Sequence, residues 1–134
     1  MTDTRDLCLL AARVMLAALF VTSALDKFRL EPAELQQIAS LHLPAPAFFA
    51  VLVGIFEMVG AASLVLGAYA RISAMALALF IAFVTLCFLQ FWSFEGPAEM
   101  RAMLKNVFFG NIALTGGLLY LAVCGPGRFA FVDL

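Results

Sequence analysis

The chain has 134 residues, 65% of them hydrophobic and 13% charged, with a mean hydropathy of +1.06. A water-soluble domain of this size has no interior large enough for that apolar surface, so the bilayer must serve as its solvent. A formal net charge of −1, with no basic cluster, argues against nucleic acid as a partner. Cys8, Cys87 and Cys124 have no CxxC spacing, which argues against a disulfide framework or dithiol site.

The first candidate span runs from about Leu7 to Leu25. Arg5 ahead of it resembles the start of a signal peptide, but the apolar run is too long and Arg13 interrupts it, so a retained helix is expected. A long connection follows, from Asp26 to Pro44. Pro32 suits the first turn of a helix. Leu35, Ile38 and Leu41 recur at a spacing of three, with Gln36 and Gln37 between them, which predicts a short amphipathic helix on the membrane surface. His42 follows it.

The second span, about Pro46 to Gly67, reads PAFFAVLVGIFEMVGAASLVLG. The short Tyr69–Arg71 link predicts an antiparallel hairpin with a third span from about Ile72 to Phe91. Trp92 to Arg101 carries Glu95, Gly96, Pro97 and Glu99 and reads as a polar loop. The fourth span runs from about Leu104 to Cys124, where Gly125-Pro126-Gly127 stops it. Each run approaches the ~20 residues that cross a bilayer. The expected fold is an all-α membrane protein. It is a single-domain, left-handed four-transmembrane-helix bundle over residues 1–134, with both termini on one side and the amphipathic helix between spans one and two. Arg5, Arg13, Arg71 and Arg128 on the termini side balance Lys27, Arg29, Arg101 and Lys105 on the loop side, so charge does not orient the bundle.

Glu57 is the residue with the most to say. A carboxylate near the bilayer midplane is expensive and should face protein with a partner. Arg13 lies about two turns inside span one, roughly 7 Å from the depth of Glu57 at 1.5 Å per residue. An Arg13–Glu57 pair is one reading; snorkelling of Arg13 to the near interface is the other. Such a pair serves packing as readily as proton or ligand chemistry. Asn111, about two turns into span four, has the amide character of an interhelical hydrogen-bonding residue. Lys27 and Lys105 could hold an anionic group at the loop-side mouth, or simply anchor there. His42 lacks the acid or cysteine neighbours of a metal site, leaving a solvated loop residue or a surface proton relay. No metal centre is expected. Phe28, Phe48, Phe49, Phe91, Trp92, Phe94, Phe108 and Phe109 gather on the loop side, either as an interfacial belt or as a stacking surface for a quinone-like ring. If a ligand site exists, Glu57 and Asn111 form its floor, Lys27, His42 and Lys105 its mouth, and the amphipathic segment its lid.

Together these residues resemble the DoxX family of small four-helix membrane proteins. Arg13 and Lys27 match its first span, and EMVGAASLVLGAYAR, with Glu57, Gly60, Gly67 and Arg71, matches its second. Phe91-Trp92 matches the end of its third, and FFGNIALTGGLLYLAVCGPG its fourth. One position departs: the lysine that usually precedes the span-four asparagine is Gly110 here. The resemblance implies a multi-pass inner (cytoplasmic) membrane protein with cytoplasmic termini. Its expected role is that of an accessory subunit of a quinone-, sulfur- or metal-linked redox or oxidative-stress system. Quinone is the cofactor implied. The implied partners are other membrane or peripheral redox proteins, or further copies of the chain. Two alternatives stay open: a non-catalytic scaffold or assembly factor, and a small transporter or proton path through Arg13 and Glu57. The residues themselves name no catalytic group.

Overall fold

In hydrocarbon each backbone N–H and C=O must be satisfied within its own segment, so the apolar runs have to be helical. The computed structural model describes residues 2–40 and 44–127. Within them lie α1 (Thr2–Phe28), α2 (Pro32–Ala39), α3 (Pro46–Leu66), α4 (Ala70–Phe88) and α5 (Ala98–Cys124), with a 3-10 turn at Phe91–Ser93. Four of these helices, α1, α3, α4 and α5, are long and apolar enough to cross a membrane.

The expected polar loop after α4 is largely structured. α4 ends at Phe88, the 3-10 turn follows, and α5 begins at Ala98. Pro97 lacks an N–H and its fixed φ suits the helix entry, so the helix starts ahead of the apolar run. Hydropathy had located the lipid-soluble part of the helix, not its full length. α1 likewise starts at Thr2. α1 and α5, each 27 residues, are about 40 Å long and overrun the ~30 Å hydrocarbon core. α4, with 19 residues, is about 28 Å long and just spans it. Gly67 ends α3 in the left-handed conformation, φ 73°, its N–H donating to Ser63 O at 2.9 Å. α2 forms in the predicted connection and packs against α3. The stripe expected on it runs through Ile38 and Leu41, which lie outside the described side chains.

Burial reveals a repeat that sets the packing. Arg13, Ala17, Phe20, Ala24 and Lys27 are buried along α1, and Ala50, Gly54, Glu57, Ala61 and Leu64 along α3. Both series alternate steps of four and three, the 3.5-residue period that makes two helices wind left-handedly along one seam. The two run antiparallel: Arg13 reaches Leu64, Lys27 reaches Glu57, and the ring of Phe28 lies over Gly54. α1 packs along α3 and α4 along α5, α3 and α4 join the pairs, and α1 and α5 meet only sparsely. Near the termini, Gly127 lies against Leu9 and Asp6, and Arg71 Nη1 donates to Val123 O at 2.8 Å. That places the start of α1 and the end of α5 on the same side.

The apolar core fills the termini half, with Phe20, Leu64, Leu77 and Leu118 fully enclosed among alanines. Ala74 and Ala78 are buried on α4 and leave room for close helix approach. Large apolar side chains such as Met15, Leu79, Tyr120 and Val123 face outward, as lipid contact requires.

Candidate functional site

The loop half of the bundle is built differently. Lys27 Nζ lies 2.9 Å from Glu57 Oε1 and donates to Ser23 Oγ at 2.9 Å. Glu57 is 1% exposed and Lys27 8%, so the pair is screened from both lipid and bulk water. Its geometry follows from the heptad seam. Ser23 and Lys27 are one turn apart on α1 and meet on one face. Gly54 lets that face come close: a Cβ there would stand 2.8 Å from Phe28 Cε1. With the phenyl ring seated on the glycine, the neighbouring lysine is turned along α3 toward Glu57.

Beside the pair lies a cavity of about 340 Å³. Ser23, Asp26, Lys27, Glu57 and Asn111 supply its polar lining, and Phe80, Phe83, Val84 and Phe88 of α4 its apolar wall. The side-chain amide of Asn111 has no hydrogen-bond partner among the described residues, although its backbone oxygen accepts from Thr115 Oγ1 at 2.8 Å. Lys27 is held by both Glu57 and Ser23. The amide of Asn111 therefore remains for whatever occupies the cavity. A void lined by one ion pair, one amide and three phenylalanine rings suits a small amphiphile with a polar ring.

Where an Arg13–Glu57 pair was one expectation, the structure sets Lys27 against Glu57 and Arg13 against backbone carbonyls. The cation against Glu57 is Lys27, whereas Arg13 Nη1 donates to Leu64 O at 3.0 Å and Val65 O at 3.4 Å. These are carbonyls of the last turn of α3, and a cation there satisfies orphan acceptors and complements the helix dipole. Arg13 is fully buried. An arginine leans toward the N-terminus of its own helix, which here is away from Glu57.

The remaining candidates divide. Lys27, Glu57 and Asn111 meet at the cavity. Lys105 lies instead in a separate groove with Phe91, Trp92 and Arg101. Gly110 is exposed, with open space where a side chain would stand. His42 lies outside the described residues, and no cluster of three or more metal-ligating side chains occurs among those described. Ser23 and the α4 phenylalanines were missed. Ser23 could have been found, because it precedes Lys27 by four residues.

This chain matches the DoxX family over residues 8–90. The chain belongs to the DoxX family. It is similar to the inner membrane protein YphA of Escherichia coli, 28% identical over 94% of this chain and 89% of that protein. It is also similar to the inner membrane protein YqjF of the same organism, 26% identical over 97% and 93%. A surfeit locus protein 4 homolog of Schizosaccharomyces pombe is 32% identical over 60% of the chain but only 26% of its own length. No solved structure matches. The full-length bacterial likenesses and four apolar helices support a multi-pass inner membrane protein. In this DoxX chain the matched region contains Arg13, Lys27, Glu57 and the α4 phenylalanines, and stops before Asn111.

Proposed function

We propose that this DoxX protein is a membrane accessory subunit of a redox system that binds a quinone or similar amphiphile beside Lys27 and Glu57. It acts as one four-span unit with its termini in the cytoplasm. The observation that carries the reading is the unengaged amide of Asn111 facing a buried ion pair across a cavity of about 340 Å³. In hydrocarbon an amide without a partner is costly, and a ring bearing two carbonyls answers it. One carbonyl accepts from the amide of Asn111, and the other lies toward the Lys27–Glu57 pair across the cavity. A reduced ring offers hydroxyl donors instead, which Glu57 can accept. Phe80, Phe83 and Phe88 supply the apolar surround for the ring and tail. The quinone supplies the electron chemistry when bound. A redox partner protein delivers or removes the electrons.

The test is titration of the detergent-solubilised protein with a short-chain benzoquinone, followed by quenching of Trp92. Trp92 is the one tryptophan of the chain and lies a turn beyond Phe88. Saturable quenching, weakened roughly tenfold in Glu57→Gln and in Asn111→Ala, is expected, the size of one lost hydrogen bond in a dry site. Quenching without saturation, or unchanged in both variants, would leave a scaffold role as the better account.

A further inference from the structure

On the loop side, a second groove of about 430 Å³ lies between the 3-10 turn and the first two turns of α5. Phe91, Trp92, Arg101 and Lys105 line it, with Ala98 and Ala102 as its floor. The quinone reading does not use this groove. We propose that it is a binding site for the phosphate of an anionic membrane lipid, with Arg101 and Lys105 as the anion ligands and the Phe91–Trp92 pair as the wall for the glycerol and upper acyl chain.

Four observations carry this. The first is depth. α4 is just long enough to span the hydrocarbon, so the turn after it lies at headgroup level, and α5 overruns the same core by about 10 Å. The second is unbalanced charge. Arg101 and Lys105 make no ion pair among the described residues. Glu99 is two residues before Arg101, about 200° around the helix, and therefore faces elsewhere. The third is preorganisation. Arg101 Nε donates to Phe91 O at 3.2 Å and Nη2 to Trp92 O at 3.5 Å. Those bonds tie the guanidinium to the wall of the groove and leave its other N–H donors for a ligand. Lys105 follows one turn later on the same face. The fourth is a fixed aromatic wall. Trp92 packs edge-on against Phe91 at 5.4 Å and Phe108 at 5.5 Å between ring centroids, yet remains half exposed to the groove. Free phosphate would match the cations but not the apolar wall; a lipid phosphate matches both.

Trp92 itself provides the assay. The delipidated protein in detergent is titrated with brominated phosphatidylglycerol or brominated phosphatidylcholine, whose bromines quench tryptophan on contact. The anionic lipid should quench at a concentration roughly twentyfold or more below the zwitterionic one, at about fivefold per cation. Arg101→Gln and Lys105→Gln should each remove about fivefold of that preference, and the double variant nearly all of it. Arg29→Gln, another loop-side cation outside the groove, should leave it intact. Helical circular dichroism checks that each variant is folded. Three results would overturn the proposal: equal quenching by the two lipids, a preference lost as readily in Arg29→Gln, or full competition by millimolar glycerol phosphate. The second would mean a diffuse surface charge, the third a site for free phosphate.

Discussion

Lys27→Met is the perturbation that the ion pair makes most informative. At 2.9 Å and an effective dielectric constant near 20, the attraction between Lys27 and Glu57 is about 6 kcal/mol. Desolvating two ions consumes several kcal/mol, so the pair as a whole contributes little net stability. Removing one member is another matter, because the survivor keeps its desolvation cost and loses its attraction. Glu57 is eleven residues beyond Pro46, about 16 Å from the loop-side end of α3, too deep for a carboxylate to snorkel out. Lys27 is next to the last residue of α1 and its long chain can escape to the interface. Lys27→Met should therefore cost about 3–5 kcal/mol, and Glu57→Gln less, though more than any lipid-facing change. The double variant should recover much of the loss, with a coupling energy of about 2–3 kcal/mol. Reversible unfolding in mixed micelles by SDS titration, followed by circular dichroism, measures all four corners of the cycle. Additive effects, or a Lys27→Met cost under about 1 kcal/mol, would refute the claim that Glu57 depends on Lys27 for its charge.

Arg13→Met keeps the length of the side chain but strips the carbonyls of Leu64 and Val65 of their donor; a loss of about 2–3 kcal/mol and faster amide exchange in the last turn of α3 are expected. Gly54→Ala places a methyl in the ring of Phe28 and should cost about 1–3 kcal/mol, recovered in part by adding Phe28→Ala, with SDS unfolding as the readout. Asn111→Ala should change stability by no more than about 0.5 kcal/mol while weakening quinone binding, since the amide has no partner in the described structure; a large stability loss without a binding change would make Asn111 a packing residue.

The spans were legible because their signal is additive: twenty apolar residues announce a helix whatever their order. The ends were not, because α1 and α5 continue as helices into water, where hydropathy falls silent. The depth of Glu57 and its need for a partner could be read from one residue in one run. Choosing between Arg13 and Lys27 required direction. Both lie on the same heptad stripe of α1, and only the tilt of side chains toward the helix N-terminus and the antiparallel register with α3 separate them. The stripe itself, Arg13-Ala17-Phe20-Ala24-Lys27, was present in the sequence but weakly marked, since membrane helices carry apolar residues on every face and small residues, not large ones, mark the contact. The α4 phenylalanines of the cavity were unreadable for the same reason: Phe83 lines a site and Leu79 faces lipid, and nothing in their chemistry tells them apart.

The two buried cations of α1 show how position decides what a charge can do. Arg13 lies where α3 ends, and its guanidinium meets carbonyl oxygens that have run out of helical partners. Those acceptors are fixed backbone groups, they do not titrate, and the surrounding half of the bundle is filled by Phe20, Leu64, Leu77 and Leu118. A cation there holds helices together. Lys27 lies fourteen residues, about 21 Å, further along the same stripe. Its acceptor is a carboxylate, which can take up a proton, and the lysine lines a cavity instead of a packed wall. The lysine can also leave, because α1 ends one residue later. A charge that can be neutralised, released or shared with a ligand is chemically available in a way that Arg13 is not. The loop half, with its ion pair beside a cavity and its aromatic wall on α4, is therefore where the proposed binding role finds its chemistry.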